Sequence, residues 1–187
     1  MMTPVILITD GDLYARKAVE TAANNLHASC LAKSSGNPTL RTAEDLLASL
    51  PYCEPHPVFL LFDDAGTSGP GPGETCLEIV VKSEKTEVLG ALAVASTSHQ
   101  NDWCRVDFSI TRFQEITAYG VDKEGFAELE LQRVRGDTLY NLDQLNIPVI
   151  CGIGDPGKMG RWDAPERGAP VTTAALKEIL HRSGYTS

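Results

Sequence analysis

The chain has 187 residues and a formal net charge of −9, with 42% apolar and 22% charged side chains. This composition is typical of a globular protein with its own hydrophobic core, so we expect residues 1–187 to form a single domain. The negative charge argues against direct binding to nucleic acid or to anionic lipid, because both are polyanions. No apolar run approaches the ~20 residues of a membrane span, and the N-terminal MMTPVILITD lacks the basic segment of a signal peptide.

Short apolar strands alternate with helices in the first half of the chain. The runs PVILIT and PVFLLF are continuously apolar, which is typical of strands buried on both faces of a sheet. The sequence TAED resembles a capping box and predicts a helix start, and Pro51 predicts its end. The predicted elements are strands at residues 4–9, 29–33 and 57–62 and helices at residues 12–27, 42–50 and 74–83.

The second half continues the alternation, with an irregular stretch in the middle. Residues 87–96 predict a strand, and the alternating residues 105–111 predict an edge or antiparallel strand. Within residues 113–135, VDKEG indicates a turn with short strands on either side. The remaining predictions are a helix at residues 136–145 with Asp137 as N-cap, a strand at residues 148–153 and a last helix starting near Thr172 or Thr173.

This order of elements predicts an α/β protein with a mostly parallel sheet between two layers of helices. We expect a three-layer sandwich of the Rossmann-like or flavodoxin-like type, with antiparallel edge strands within residues 97–135.

Five cysteines are scattered through the chain: Cys30, Cys53, Cys76, Cys104 and Cys151. Their number is odd and no pair has CxxC spacing. We therefore interpret them as free thiols in a reducing compartment, rather than as disulfides or a zinc site.

The segment GIGDPGKM at residues 152–159 resembles two nucleotide-binding motifs and completes neither. A phosphate loop needs a Ser or Thr after its lysine to hold Mg²⁺, but Met159 follows Lys158. A dinucleotide site needs a helix that begins inside the loop, whereas a Gly- and Pro-rich stretch follows here. The glycines are therefore interpreted as turn residues, with Gly154, Asp155 and Lys158 as candidates to line a pocket.

Carboxylates follow three of the predicted strands, and the carboxyl ends of parallel strands are where α/β sheets bind ligands. If these strands are neighbours, the carboxylates converge and suit a hard cation such as Mg²⁺ or Ca²⁺. The alternative is that Asp12 and Glu74 stabilise helix N-termini while the others lie in turns, and the sequence favours this alternative. The candidates for a pocket are Asp10, Asp12, Asp63, Asp64, Glu74 and Asp155, and those for a metal are Asp10, Asp12, Asp63 and Asp155.

Blocks along nearly the whole chain resemble the stage V sporulation protein AE family, of the small soluble type. Two stretches, NDWC at residues 101–104 and RWDAPER at residues 161–167, lie where the family pattern is loose. The blocks that carry the resemblance are TDGDLYARKAVE, SSGNPT, FDDAGTSGPGPGE, VLGALAVAS, VDFSITR, VDKEG, GDTLYNLDQLNIPVICGIGDPGKM and GAPVTTAALKEIL.

The resemblance implies a protein of the developing spore, encoded with the proteins that transport dipicolinic acid and needed for normal germination. It implies a non-enzymatic soluble accessory component at the spore inner membrane, held there by other proteins of the transport system. It supplies no catalytic residues and no cofactor. Two alternatives remain open: a Mg²⁺- or Ca²⁺-dependent enzyme, and a sensor that binds a small ligand at the carboxylate cluster. Association of the chain with itself also remains open.

Overall fold

A seven-stranded sheet with helices on both faces forms the body of the protein, in a computed structural model that describes residues 2–67, 70–97, 103–136 and 142–186. The helices are α1 (Leu13–Asn25), α2 (Ala43–Ser49), α3 (Pro72–Val81) and α4 (Pro170–Arg182). The strands are β1 (Thr3–Ile8), β2 (Ser29–Cys30), β3 (Val58–Leu61), β4 (Thr86–Val94), β5 (Trp103–Arg105), β6 (Phe108–Ile110), β7 (Ile116–Thr117), β8 (Tyr119–Val121), β9 (Ala127–Leu131), β10 (Arg133–Arg135) and β11 (Ile150–Ile153).

The order of strands in the large sheet is β2-β3-β1-β4-β11-β6-β7. All neighbouring strands are parallel except β6 and β7, which form an antiparallel edge. The predicted α/β fold with a mostly parallel sheet and antiparallel edge strands is therefore confirmed.

The core consists of two layers, one on each face of the sheet. Side chains of β1 alternate between them: Val5 and Leu7 pack with α2 and α3, whereas Ile6 and Ile8 pack with α1 and α4. Both sets are fully buried, because a central parallel strand is covered on both faces. This double burial explains why the strand was recognisable as a continuous apolar run.

Several predicted boundaries differ from the structure. The helices α3 and α4 begin earlier than expected, at Pro72 and Pro170, because proline suits the first turn of a helix, where its missing N–H group has no partner to lose. Helix α2 ends at Ser49, just before the predicted stop at Pro51, which lies in a 3₁₀ turn at Leu50–Tyr52. The predicted strand at residues 29–33 is only two residues long and is followed by a 3₁₀ turn.

The irregular middle of the chain forms two small antiparallel sheets. The predicted strand at residues 105–111 is divided: β5 pairs with β10, while β6 joins the large sheet beside β11. The turn VDKEG connects the paired strands β8 and β9, as predicted. The N-cap predicted at Asp137 lies outside the described residues, and the described part of that helix is a 3₁₀ turn at Leu142–Gln144.

Among the helices within the described ranges, none is long and apolar enough to cross a membrane.

Candidate functional site

A polar cleft of about 450 Å³ opens at the carboxyl ends of the central strands. From β1 the chain runs to β2, at one end of the sheet, and from β4 it runs towards β6, near the other end. The direction of the connections therefore reverses between β1 and β4, and the crevice lies at the ends of these two strands. Doubly wound sheets bind their ligands at such a point. The lining residues are Thr9, Asp10, Asp12, Asn37, Asp63, Ala65, Gly66, Val94, Ser96, Thr97 and Asp155.

Four of the candidate carboxylates line one cleft, although the three strands that they follow are not all neighbours in the sheet. Strand β3 is a neighbour of β1, but β4 lies between β1 and β11. Asp10, Asp12, Asp63 and Asp155 nevertheless line the same cleft, because all three strand ends lie at one edge of the sheet.

Among the acids of this cleft, Asp10 has the pKa that is shifted furthest from its ordinary value. Burial raises its pKa to about 8, and the negative charges of Asp12, Asp63 and Asp155 add to the increase. Its Oδ1 atom accepts the N–H of Asp12 at 3.1 Å, which partly opposes the shift. At neutral pH, Asp10 is therefore mainly a neutral carboxylic acid that can donate a hydrogen bond into the cleft.

Asp12 links the first helix to the glycine-rich loop. Its Oδ1 atom accepts the N–H of Ala15 at 2.8 Å and caps α1, so the capping interpretation is correct for this residue. Its Oδ2 atom accepts a hydrogen bond from Lys158 Nζ at 2.8 Å, and the same ammonium lies 3.6 Å from Asp155. Burial raises the pKa of Asp155 and Lys158 opposes this shift. The lysine thus offsets part of the charge at one edge of the cleft.

Asp63 holds two loops together beneath the cleft. Its Oδ2 atom accepts the N–H of Gly11 at 3.1 Å and its Oδ1 atom accepts the N–H of Ala65 at 2.7 Å. A side chain at position 11 would meet the carbonyl oxygen of Gly36 at 2.4 Å, so only glycine permits this close approach. The carboxylate of Asp63 therefore has a structural task in addition to facing the cleft.

Asp64 and Glu74 lie together at the start of α3 and are not among the residues that line the cleft. Asp64 is fully buried, and its Oδ1 atom accepts the N–H groups of Gly73 at 2.6 Å and Glu74 at 3.2 Å. Glu74 is buried in the first turn of the same helix. Both acids thus lie where a negative charge stabilises a helix N-terminus.

The glycines of GIGDPGKM permit close packing. A side chain at Gly154 would meet the backbone of Lys123 and Gly125, and one at Gly157 (φ +80°) would meet the carbonyl oxygen of Tyr14 at 2.5 Å. The loop continues through turns, and the following helix begins only at Pro170. The geometry lacks the helix N-terminus that both nucleotide motifs require.

Asp163, which we did not predict as a site residue, joins this loop to α4. It is fully buried and accepts hydrogen bonds from four donors: the N–H groups of Gly157 (2.8 Å), Val171 (2.9 Å) and Thr172 (2.9 Å) and the hydroxyl of Thr172 (2.5 Å). Burial raises its pKa, whereas these donors lower it. It lies seven residues before the helix, too far for the usual capping pattern, so the sequence carried no signal for it.

Two basic side chains near the cleft and its glycine-rich loop have different surroundings. Lys158 is at the edge, but Arg112 is buried elsewhere, donating to the carbonyl oxygen of Met159 and stacked over the ring of Phe126 at 4.5 Å. Within the described part of the chain, no group of three or more His, Cys, Asp or Glu side chains is arranged to hold a metal ion.

Together, the fold and the cleft define a doubly wound α/β protein with an acidic crevice at the carboxyl edge of its sheet. The family model of stage V sporulation protein AE1 (SpoVAE) matches residues 4–183, nearly the whole chain. The chain therefore belongs to this family and has a sporulation-related role in the SpoVA system. Searches of curated proteins and of solved structures gave no match.

Proposed function

We propose that this protein is a non-enzymatic accessory component of the spore dipicolinic acid transport and germination apparatus, held at the spore inner membrane by partner proteins. The observation that carries the proposal is the family match over residues 4–183. This family is a sporulation family and not a known class of enzyme.

The uses of the carboxylates support a non-enzymatic role. Asp12 caps α1 and pairs with Lys158, and Asp63 binds the backbone of two loops. Asp64 caps α3 in the interior. Acids that serve the protein's own backbone in this way are poorly placed to activate a water molecule or to exchange protons with a substrate.

The experiment is the isolation of the tagged full-length chain from developing spores after mild chemical crosslinking. We expect a stable complex with at least one other protein of the dipicolinic acid transport system. A tagged acidic protein of similar size, produced in the same cells, is the control. Failure to recover any protein of the system above this control contradicts the proposal.

A sensor that binds a small ligand is the second candidate function, because Asp10 offers a neutral acid in a cleft of about 450 Å³. The dianion dipicolinate would be repelled by the remaining carboxylates. A bridging Ca²⁺ ion would have to accompany it.

Thermal unfolding tests this second candidate directly. The purified protein is heated alone and with Mg²⁺, Ca²⁺, dipicolinate, or Ca²⁺ plus dipicolinate. A ligand at ~100 times its dissociation constant adds ~2.7 kcal/mol to the free energy of unfolding, which is a shift of several degrees for a domain of this size. A sensor shows this shift, and Asp10→Asn but not the exposed Glu84→Gln reduces it. An unchanged melting temperature under every condition contradicts it.

A further inference from the structure

A cluster of arginines and one tryptophan covers the exposed side of the small sheet formed by β5 and β10. Strand β5 directs Trp103 and Arg105 outward while Cys104 is buried, and β10 directs Arg133 and Arg135 outward while Val134 is buried. We call these four exposed residues the arginine face. Their clustering is unexpected in a chain with 25 acidic and 16 basic side chains.

Two positive charges of this face repel each other when no partner is bound. Arg105 and Arg133 lie directly opposite each other across the two strands, and like charges in such a pair are destabilising. Arg135 forms an ion pair with Glu130 at 2.7 Å. Within the described ranges, Arg105 and Arg133 form no ion pair, although the guanidinium of Arg133 lies 4.1 Å from the centre of the Trp103 ring. Two guanidinium groups are thus available to an external anion.

A recess of about 330 Å³ adjoins the two arginines. It is lined by Trp103, Arg105, Leu131, Gln132, Arg133 and Asp143. The carboxylate of Asp143 accepts the backbone N–H of Arg105 at 3.0 Å, and its negative charge offsets one of the two guanidinium charges, so the recess remains net positive. The recess combines positive charge with the apolar surfaces of Trp103 and Leu131.

Exposed apolar side chains continue the surface from the recess onto the neighbouring hairpin. Leu131 is 59% exposed and Tyr119, which pairs with it across the strands, is 47% exposed. Leu129 is 98% exposed, which is an unusual position for leucine on a strand. An apolar surface next to a charged recess is typical of a protein interaction site.

We infer that the arginine face and the adjoining leucines bind an acidic segment of a partner protein. A carboxylate of that segment enters the recess between Arg105 and Arg133, and its apolar neighbours pack on Trp103 and Leu131. This inference rests on the proposed function, because the partner is a protein of the apparatus to which this chain is proposed to belong.

The charges favour a protein partner over a membrane or a nucleic acid. The whole chain carries a net charge of −9, which repels extended polyanions. Glu130 pairs with Arg135 of the face and adds a negative charge that an anionic bilayer would repel. Arginine and tryptophan are also the residues that contribute most often to the binding energy of protein interfaces.

The experiment compares charge reversals on this face with a reversal elsewhere. The full-length chain and its variants Arg105→Glu and Arg133→Glu are titrated against each purified protein of the transport system. The matched control is Arg41→Glu, an exposed arginine before α2 that undergoes the same change of charge. Circular dichroism and thermal unfolding establish that each variant is folded, as we expect for exposed positions.

We expect both reversals on the face to weaken association at least tenfold, while Arg41→Glu stays within about twofold of wild type. Affinity of the wild type should also fall as salt is raised, because the contact includes charge pairs. If the wild type binds and all three variants bind equally well, the arginine face is not the interface, yet the proposed function stands. If the wild type binds none of these proteins, the proposed function fails, and with it this inference.

Two further measurements test whether a membrane or a second copy of the chain covers the arginine face instead of a partner protein. Binding of the wild type to vesicles with 30% anionic phospholipid, lost in Arg133→Glu, would show that a membrane covers the face and would overturn the inference. A wild-type dimer in analytical ultracentrifugation that becomes monomeric in Arg133→Glu would show that a second copy covers it, with the same consequence.

Discussion

Asp10 shows how a single side chain depends on the fold around it. In the sequence it is one of many acids after a strand, and an isolated aspartate has a pKa near 3.8. The fold places it beside three other carboxylates and buries it, so its neutral form is favoured in the native protein. Ionisation of Asp10 is therefore coupled to folding.

This coupling predicts how stability changes with pH. Between pH 3.8 and about 8, Asp10 keeps its proton in the folded state but loses it in the unfolded chain, so the free energy of unfolding falls as pH rises through this range. Asp10→Asn cannot ionise and can still accept the N–H of Asp12. We expect this variant to unfold several degrees above the wild type at pH 8.5 and at nearly the same temperature at pH 4.

The measurement is thermal unfolding at both pH values, with Glu84→Gln as the control for removal of an exposed acid. If Asp10→Asn changes the melting temperature equally at pH 4 and pH 8.5, ionisation of Asp10 is not coupled to folding.

The attachment of α4 shows what one buried carboxylate does for a whole helix. The residue before α4, Ala169, makes no side-chain cap, and Asp163 receives the N–H groups of the first turn instead. The same carboxylate binds Gly157 in the glycine-rich loop. The position of the helix and the conformation of the loop are therefore coupled through Asp163.

Removal of this carboxylate should have a large effect. Asp163→Ala leaves buried N–H groups at Gly157, Val171 and Thr172 without their acceptor, and we expect a loss of about 3 kcal/mol or more in the free energy of unfolding. Thr172→Val removes only one of the four donors and should cost about 1 kcal/mol. Urea unfolding of the two variants and the wild type measures both values. Equal losses in the two variants would contradict a central role for Asp163.

The reactivity of the five cysteines tests whether the whole molecule is folded, because they are distributed over both core layers and the loops. All five are free thiols in the structure. Cys76, Cys104 and Cys151 are buried, and burial raises the pKa of each. Burial also raises the pKa of the half-buried Cys30 to about 12. These thiols are poor nucleophiles while the protein is folded.

We therefore expect a thiol reagent at pH 8 to label the native protein slowly, with Cys53 first because it is only partly buried. In denaturant, without a reducing agent, all five thiols should react at once. Counting labels by intact-mass spectrometry before and after unfolding checks both statements. Fewer than five reactive thiols in the unfolded protein would show that a disulfide had formed.

Much of the fold was predictable because its signals are local. Strands such as β1 and β3 are continuous apolar runs, since a central parallel strand is buried on both faces. The cap of α1 at Asp12 is formed within four residues. The convergence of Asp10, Asp63 and Asp155 followed from a general rule, that parallel strands end at one edge of the sheet.

The sequence by itself thus determined the alternation of elements, the class of fold and the edge at which acids gather, because each depends on neighbours along the chain or on the direction of strands. The tertiary structure alone decided the rest, since pairing between distant segments is set by the whole core. It placed β4 between β1 and β11, and it brought the carboxylate of Asp64 to the first turn of α3, where it accepts the N–H of Gly73 nine residues further along the chain. It also brought Arg105 opposite Arg133, across 28 positions of sequence, onto one exposed face.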